Sequence, residues 1–172
     1  MLRMVVLGNS GGGKSGLARR LAPSLGLPCF DLDAILWRPA WQLAPAEVYQ
    51  AEHSRLIAEE GWLLDGLGLP DSIPSRLARA TDVVLIDLPL WMHFWLAAER
   101  QVEWAAGRLE HPPGGFSEAP PLHGLFKTIW ENDRDLMPAL RSLVAAEEGR
   151  GKRVFRLTTI EERDAFTARL GR

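Results

Sequence analysis

Met4-Val5-Val6-Leu7-Gly8-Asn9-Ser10-Gly11-Gly12-Gly13-Lys14-Ser15 decides how this chain is read. A short apolar run has strand character and ends in a stretch that fits G-x-x-x-x-G-K-[ST], a loop that cradles phosphates. Glycines allow positive φ and close backbone approach, so successive N–H groups can converge on a polyphosphate. The helix that follows, from Gly16 to about Leu25, would aim its positive N-terminal end at the same anion. The cradle is therefore Gly8, Asn9, Ser10, Gly11, Gly12, Gly13, Lys14, Ser15 and Gly16. Lys14 would reach the β- and γ-phosphates, and Ser15 would give its hydroxyl to Mg²⁺. The expected cofactors are ATP and Mg²⁺.

Working outward, short apolar runs alternate with helical stretches. Strands are expected at 3–7, 28–32, 62–65, 83–87 and 154–157. Helices are expected at 15–25, 44–60, 75–80, 90–108, 122–147 (bent at Pro138) and 161–170. Uninterrupted apolar strands separated by helices predict a five-stranded parallel sheet covered on both faces, a three-layer α/β fold. The whole chain, 1–172, reads as a single domain. Residues 109–121, with four prolines and two glycines, cannot continue a helix and are expected to form a small lid.

Ligands of such sheets sit beyond the carboxyl ends of the strands. That rule gathers Asp31, Asp33, Asp65 and Asp87 at the edge carrying the glycine loop. Buried strands rarely end in carboxylates unless these are capped, paired or near a cation, so capping is the alternative for each. Asp33 would hold or deprotonate an acceptor hydroxyl, and Asp31 and Asp65 would hold water on Mg²⁺. Trp37, Arg38, Gly66 and Arg76 complete the expected acceptor side, while Arg100 and Arg134 are the arginines placed toward phosphate. Lys14, Asp33 and Arg100 are the candidate catalytic residues. Trp37 and Trp41 fit either stacking on a substrate or simple packing. Trp91, Trp95 and Trp104 are expected to pack a helix stripe into the core.

In their order, these motifs resemble the P-loop small-molecule and nucleoside-monophosphate kinases. Trp62-Leu63-Leu64-Asp65-Gly66 and Asp87-Leu88-Pro89 resemble two strand ends of the adenylate kinases, and the helix from Leu90 their lid-bearing helix. Phe30-Asp31-Leu32-Asp33 is similar to the Asp-x-Asp of shikimate kinase, whose acids serve magnesium and acceptor. Asp33 followed by Trp37-Arg38-Pro39-Ala40-Trp41, with Trp62-x-x-Asp65-Gly66 and then Arg76, resembles the adenylate-kinase-like group labelled DNA topology modulation proteins. The resemblance implies transfer of a γ-phosphoryl group from ATP to a small acceptor. Three departures bear on this. Leu96 stands where the resemblance implies an arginine stacked on adenine. Gly16 lacks the hydroxyl common at that position, and 109–121 holds no arginine or lysine, so basic groups would come from Arg100, Arg108, Arg134 or Arg141. A thin basic lid also fits a nucleotide-binding regulatory protein with slow or no hydrolysis.

Bulk properties narrow the partners. At 172 residues, 47% hydrophobic and 24% charged, the chain is globular. A net charge of −2 gives no reason to expect nucleic acid or membrane. A lone Cys29 allows no internal disulfide and fits a reducing cytoplasm. No Asn-Lys-x-Asp stretch argues for guanine, and the expected partner is a small-molecule phosphate acceptor.

Overall fold

A computed structural model of the chain describes residues 1–112 and 116–170. Five parallel strands form the central sheet: β1 (Arg3–Gly8), β2 (Cys29–Asp31), β5 (Trp62–Asp65), β6 (Asp82–Ile86) and β7 (Arg153–Leu157), in the order β2-β5-β1-β6-β7. Between β2 and β5 lies a two-stranded antiparallel ribbon, β3 (Trp37–Arg38) and β4 (Gln42–Leu43). The helices are α1 (Lys14–Leu25), α2 (Leu32–Leu36), α3 (Ala46–Ala58), α4 (Ile73–Arg79), α5 (Leu90–Ala105), α6 (Leu122–Glu131), α7 (Met137–Gly149) and α8 (Ile160–Leu170).

Strand alternation explains the layers. On β1, Val5 and Leu7 join the core shared with Leu77 of α4 and Leu140 of α7. Met4 and Val6 face the other way, into the core shared with Leu17 of α1 and Phe166 of α8. Burial on both faces is why β1 and β6 read as unbroken apolar runs. It also puts β1, and the loop that leaves it, at the middle of the sheet.

The expected five-stranded parallel sheet is present, with several local differences. The second strand stops at Asp31, whose Oδ1 accepts the Asp33 N–H at 2.9 Å and caps the short α2. A five-residue helix carries too little periodicity to announce itself, and the ribbon after it is equally short. The helix from Leu90 ends at Ala105 rather than Arg108, before Gly107 at φ 68°. The stretch 122–147 is two α-helices joined by a π-helical turn, Asn132–Leu136. Pro138 has no N–H and crowds the carbonyl four residues earlier, so the preceding turn widens upstream of the expected bend.

The tryptophan stripe on α5 is a correction. Trp91 and Trp95 are 63% and 61% exposed, while His93 and Ala97 are the residues α5 buries. The reason is the glycine loop beneath. A Cβ on Gly11 would stand 2.6 Å from the His93 carbonyl and 3.2 Å from the Ala97 methyl, a gap too narrow for an indole.

Candidate active site

Backbone geometry at the loop follows from its glycines. Gly8 closes β1 at φ 146°, and a Cβ there would lie 2.4 Å from the Ile86 carbonyl of the neighbouring strand. Gly13 caps α1 at φ 81°, in the left-handed region that L side chains rarely adopt. The loop is also braced from several directions. Asn9 is fully buried; its Oδ1 accepts the Ser10 N–H at 2.7 Å and its Nδ2 donates to the Ile129 carbonyl of α6 at 2.8 Å. His93 Nδ1 donates to the Ser10 carbonyl at 2.9 Å, and Arg163 Nη1 to the Gly12 carbonyl at 3.4 Å. Lys14 Nζ rests on the Asn9 carbonyl at 2.9 Å.

Register brings the acids to this loop. Val6 pairs with Asp65 across β1–β5, and Asp65 with Asp31 across β5–β2. Asp65 is 2% exposed, and its Oδ1 has no partner. Burial pushes its carboxyl up to about 7, with Asp31 adding repulsion, while Lys14 and a hydrogen bond from Ser15 oppose the rise. Burial also raises Asp33, again with Asp31 contributing, against Lys14, Arg100 and a hydrogen bond with Trp37. Burial lowers the Lys14 ammonium, and Asp65 and Asp33 hold part of it up. Arg100, lowered by burial and supported by Asp33, leaves its Nε without a partner.

The structure thus gathers Lys14, Ser15, Asp31, Asp33, Asp65, Trp37 and Arg100. It disperses the others. Arg76 is completely buried; its guanidinium binds Ser72 Oγ at 2.8 Å and the Gly66 carbonyl at 3.1 Å, and also reaches the Leu67 carbonyl. It braces the turn after β5 and has no surface to offer an acceptor, and the Gly66 carbonyl is part of that brace. Arg38 is exposed, and Arg134 is held on the surface by Asp135 at 2.6 Å. Asp87 is paired, its carboxylate accepting hydrogen bonds from Nε and Nη2 of Arg141.

Pro113, Gly114 and Gly115 of the expected lid lie outside the described residues. Its C-terminal flank is held by an aromatic group. Trp41 Nε1 donates to the Glu118 carbonyl at 3.1 Å and Trp104 Nε1 to that of Ser117 at 3.0 Å. Trp41 meets Phe116 edge-on at 5.0 Å and Trp37 at 5.8 Å. The packing alternative for Trp41 therefore holds here.

Sequence reasoning missed Asn9 as a brace, and missed His93 and Arg163 altogether. No local pattern marks them, because their partners lie 120, 83 and 151 residues away.

Among the described residues no group of three or more His, Cys, Asp or Glu is arranged to hold a metal. Mg²⁺ bound through phosphates and water needs no such cage. The orphaned Asp65 Oδ1 beside the Ser15 hydroxyl fits an ion carrying its own water.

No family model and no curated protein matches by sequence. Solved structures do. A gluconokinase from Sinorhizobium meliloti 1021 superposes with a TM-score of 0.53 at 16% identity, over 99% of this chain and 93% of that one. A shikimate kinase from Aquifex aeolicus vf5 gives a TM-score of 0.49 at 14% identity, over 98% and 93%. Strand order, glycine loop and superposition together show that this chain has the fold of the small P-loop kinases.

Proposed function

We propose that the protein is a phosphotransferase that moves the γ-phosphoryl group of ATP, bound with Mg²⁺, onto a small acceptor bearing a hydroxyl or phosphate. The observation that carries this is the unmet polar capacity at one sheet edge: Asp65 Oδ1 and Arg100 Nε, both buried and unpartnered, beside Lys14 and Ser15. Buried groups without partners are costly unless a ligand completes them. Likeness to a gluconokinase supports the small-acceptor class.

Each residue then has a role its position permits. The loop and Lys14 would hold the β- and γ-phosphates, Ser15 would give its hydroxyl to the metal, and Asp31 and Asp65 would accept from the water it carries. Magnesium supplies charge neutralisation on the transferring group. Asp33, its carboxyl raised by burial, accepts the acceptor's proton. Arg100 neutralises developing charge beside Asp33. The described flanks 109–112 and 116–121 cover the cleft when both substrates are present, excluding water from the γ-phosphate.

A second reading, an ATP-binding regulatory protein, has its own support. The described lid flank 116–121 carries no basic residue, and Arg108 and Arg134 are occupied by Glu103 and Asp135. ADP release measured over a panel of sugars, sugar acids, hydroxy acids and nucleoside monophosphates separates the two. The kinase reading expects at least one acceptor to raise ADP formation well above basal hydrolysis. ATP binding with no acceptor response would give the regulatory reading the field.

A further inference from the structure

A trans peptide is planar, so its C=O and N–H point in opposite directions, and the described residues include no cis peptide. His93 Nδ1 holds the Ser10 carbonyl, which shares a peptide unit with the Gly11 N–H. Arg163 Nη1 holds the Gly12 carbonyl, which shares one with the Gly13 N–H. Both donors come from helices outside the loop, α5 and α8, so the carbonyls are drawn outward and the two N–H groups turn inward. Without such anchors, three consecutive glycines would leave these peptides free to flip.

We infer that His93 and Arg163 are positioning residues of the polyphosphate site, holding alternate peptides of the loop so that the Gly11 and Gly13 N–H groups converge on the anion before it arrives. This rests on the phosphate-binding reading above. It also accounts for a glycine that the motif does not demand. The G-x-x-x-x-G-K-[ST] pattern leaves position 12 open, and Gly12 is not among the residues with positive φ. Yet a Cβ on Gly12 would stand 2.9 Å from His93 Cε1, and one on Gly13 2.5 Å from Arg163 Nη1. A side chain at either position would push the anchoring donor off its carbonyl. Presetting the donors this way removes an ordering cost from binding, and that gain appears as affinity.

The test is calorimetric titration of the full chain with Mg-ATP and, separately, with magnesium pyrophosphate, which has no nucleoside. His93→Leu removes the donor. His93→Asn keeps an N–H donor near the position of Nδ1. Arg163→Met and Arg163→Lys form the parallel pair. His93→Leu should weaken both ligands by on the order of tenfold, with most of the affinity kept in His93→Asn. Arg163→Met, acting across a longer contact, should weaken both about threefold to fivefold, with partial retention in Arg163→Lys. The arginine pair keeps the test open if His93→Leu does not fold, since Arg163 lies on the outer helix. Wild-type affinity for pyrophosphate in both His93→Leu and Arg163→Met would overturn the inference. So would weakening of ATP alone, which would assign these residues to the nucleoside. Failure of the wild type to bind either ligand would instead remove the phosphate-binding reading, and this inference with it.

Discussion

The two sides of the proposed site are built differently. The proposed phosphate side grows from the middle of the sheet, where the loop's own fully buried asparagine ties it to α6 and a buried histidine of α5 and an arginine of α8 hold two of its carbonyls. The proposed acceptor side is a ribbon of two-residue strands, with Ala40 and Trp41 at φ 60° and 55°. For residues with a Cβ, that left-handed backbone costs roughly 1–2 kcal/mol each. It is held by edge-on aromatic contacts and indole bonds to the 116–121 flank. A triphosphate is the same in every turnover and suits a rigid seat. An acceptor must enter and leave, and suits a side held by few, partly exposed contacts.

The sharpest way to break the comparison is Lys14→Ala. It should leave the fold intact, weaken ATP by about tenfold to a hundredfold, and abolish turnover. Equal ATP affinity by calorimetry in wild type and mutant would mean the rigid side is no phosphate seat. Asp33→Asn tests the division between the sides. Acceptor-dependent transfer should fall by about 10²–10⁴ while ATP binding stays as in wild type. Loss of magnesium-dependent ATP binding would move Asp33 to the metal.

The pH dependence of the ligand-free protein comes next. Asp65 sits at about 7 when folded, above the ordinary 3.8. The folded state therefore holds its proton more tightly than the unfolded chain. The stabilisation this gives is complete below the ordinary value and is lost as pH rises through about 7. His53, lowered to about 4 by burial, runs the other way: its neutral buried form costs stability as pH falls from 6.5. Between pH 6.5 and 8 the carboxylate governs, so Tm should fall by a few degrees over that range, and Asp65→Asn should flatten the slope. An unchanged slope in Asp65→Asn would take the buried proton away from this residue.

The smallest effect is expected from Trp41→Ala. The residue is half-buried and its bonds are peripheral, so stability should drop by only about 1 kcal/mol. The KM for the acceptor should nevertheless rise, and hydrogen exchange in 116–121 should quicken. If Trp41→Ala instead costs as much stability as a core truncation, the second side is as rigid as the first and the contrast collapses.

The sequence by itself determined the sheet, the glycine loop, and the ends at which Asp31, Asp33 and Asp65 appear. Those features are local: unbroken apolar runs, a fixed spacing around Lys14, and a carboxylate where a buried strand stops. Tertiary structure decided which charges face the cleft. Arg76, Arg100 and Arg134 look alike along the chain; packing buried the first against carbonyls, left the second unpartnered beside Asp33, and tied the third to Asp135 on the surface. Trp91 and Trp95 point outward for the same kind of reason, since helical periodicity marks a stripe but not which neighbour lies under it. The braces on the loop were illegible because a hydrogen bond to a backbone carbonyl can come from any donor the fold delivers. Only the assembled fold brings α5, α6 and α8 to the one loop at the centre of the sheet.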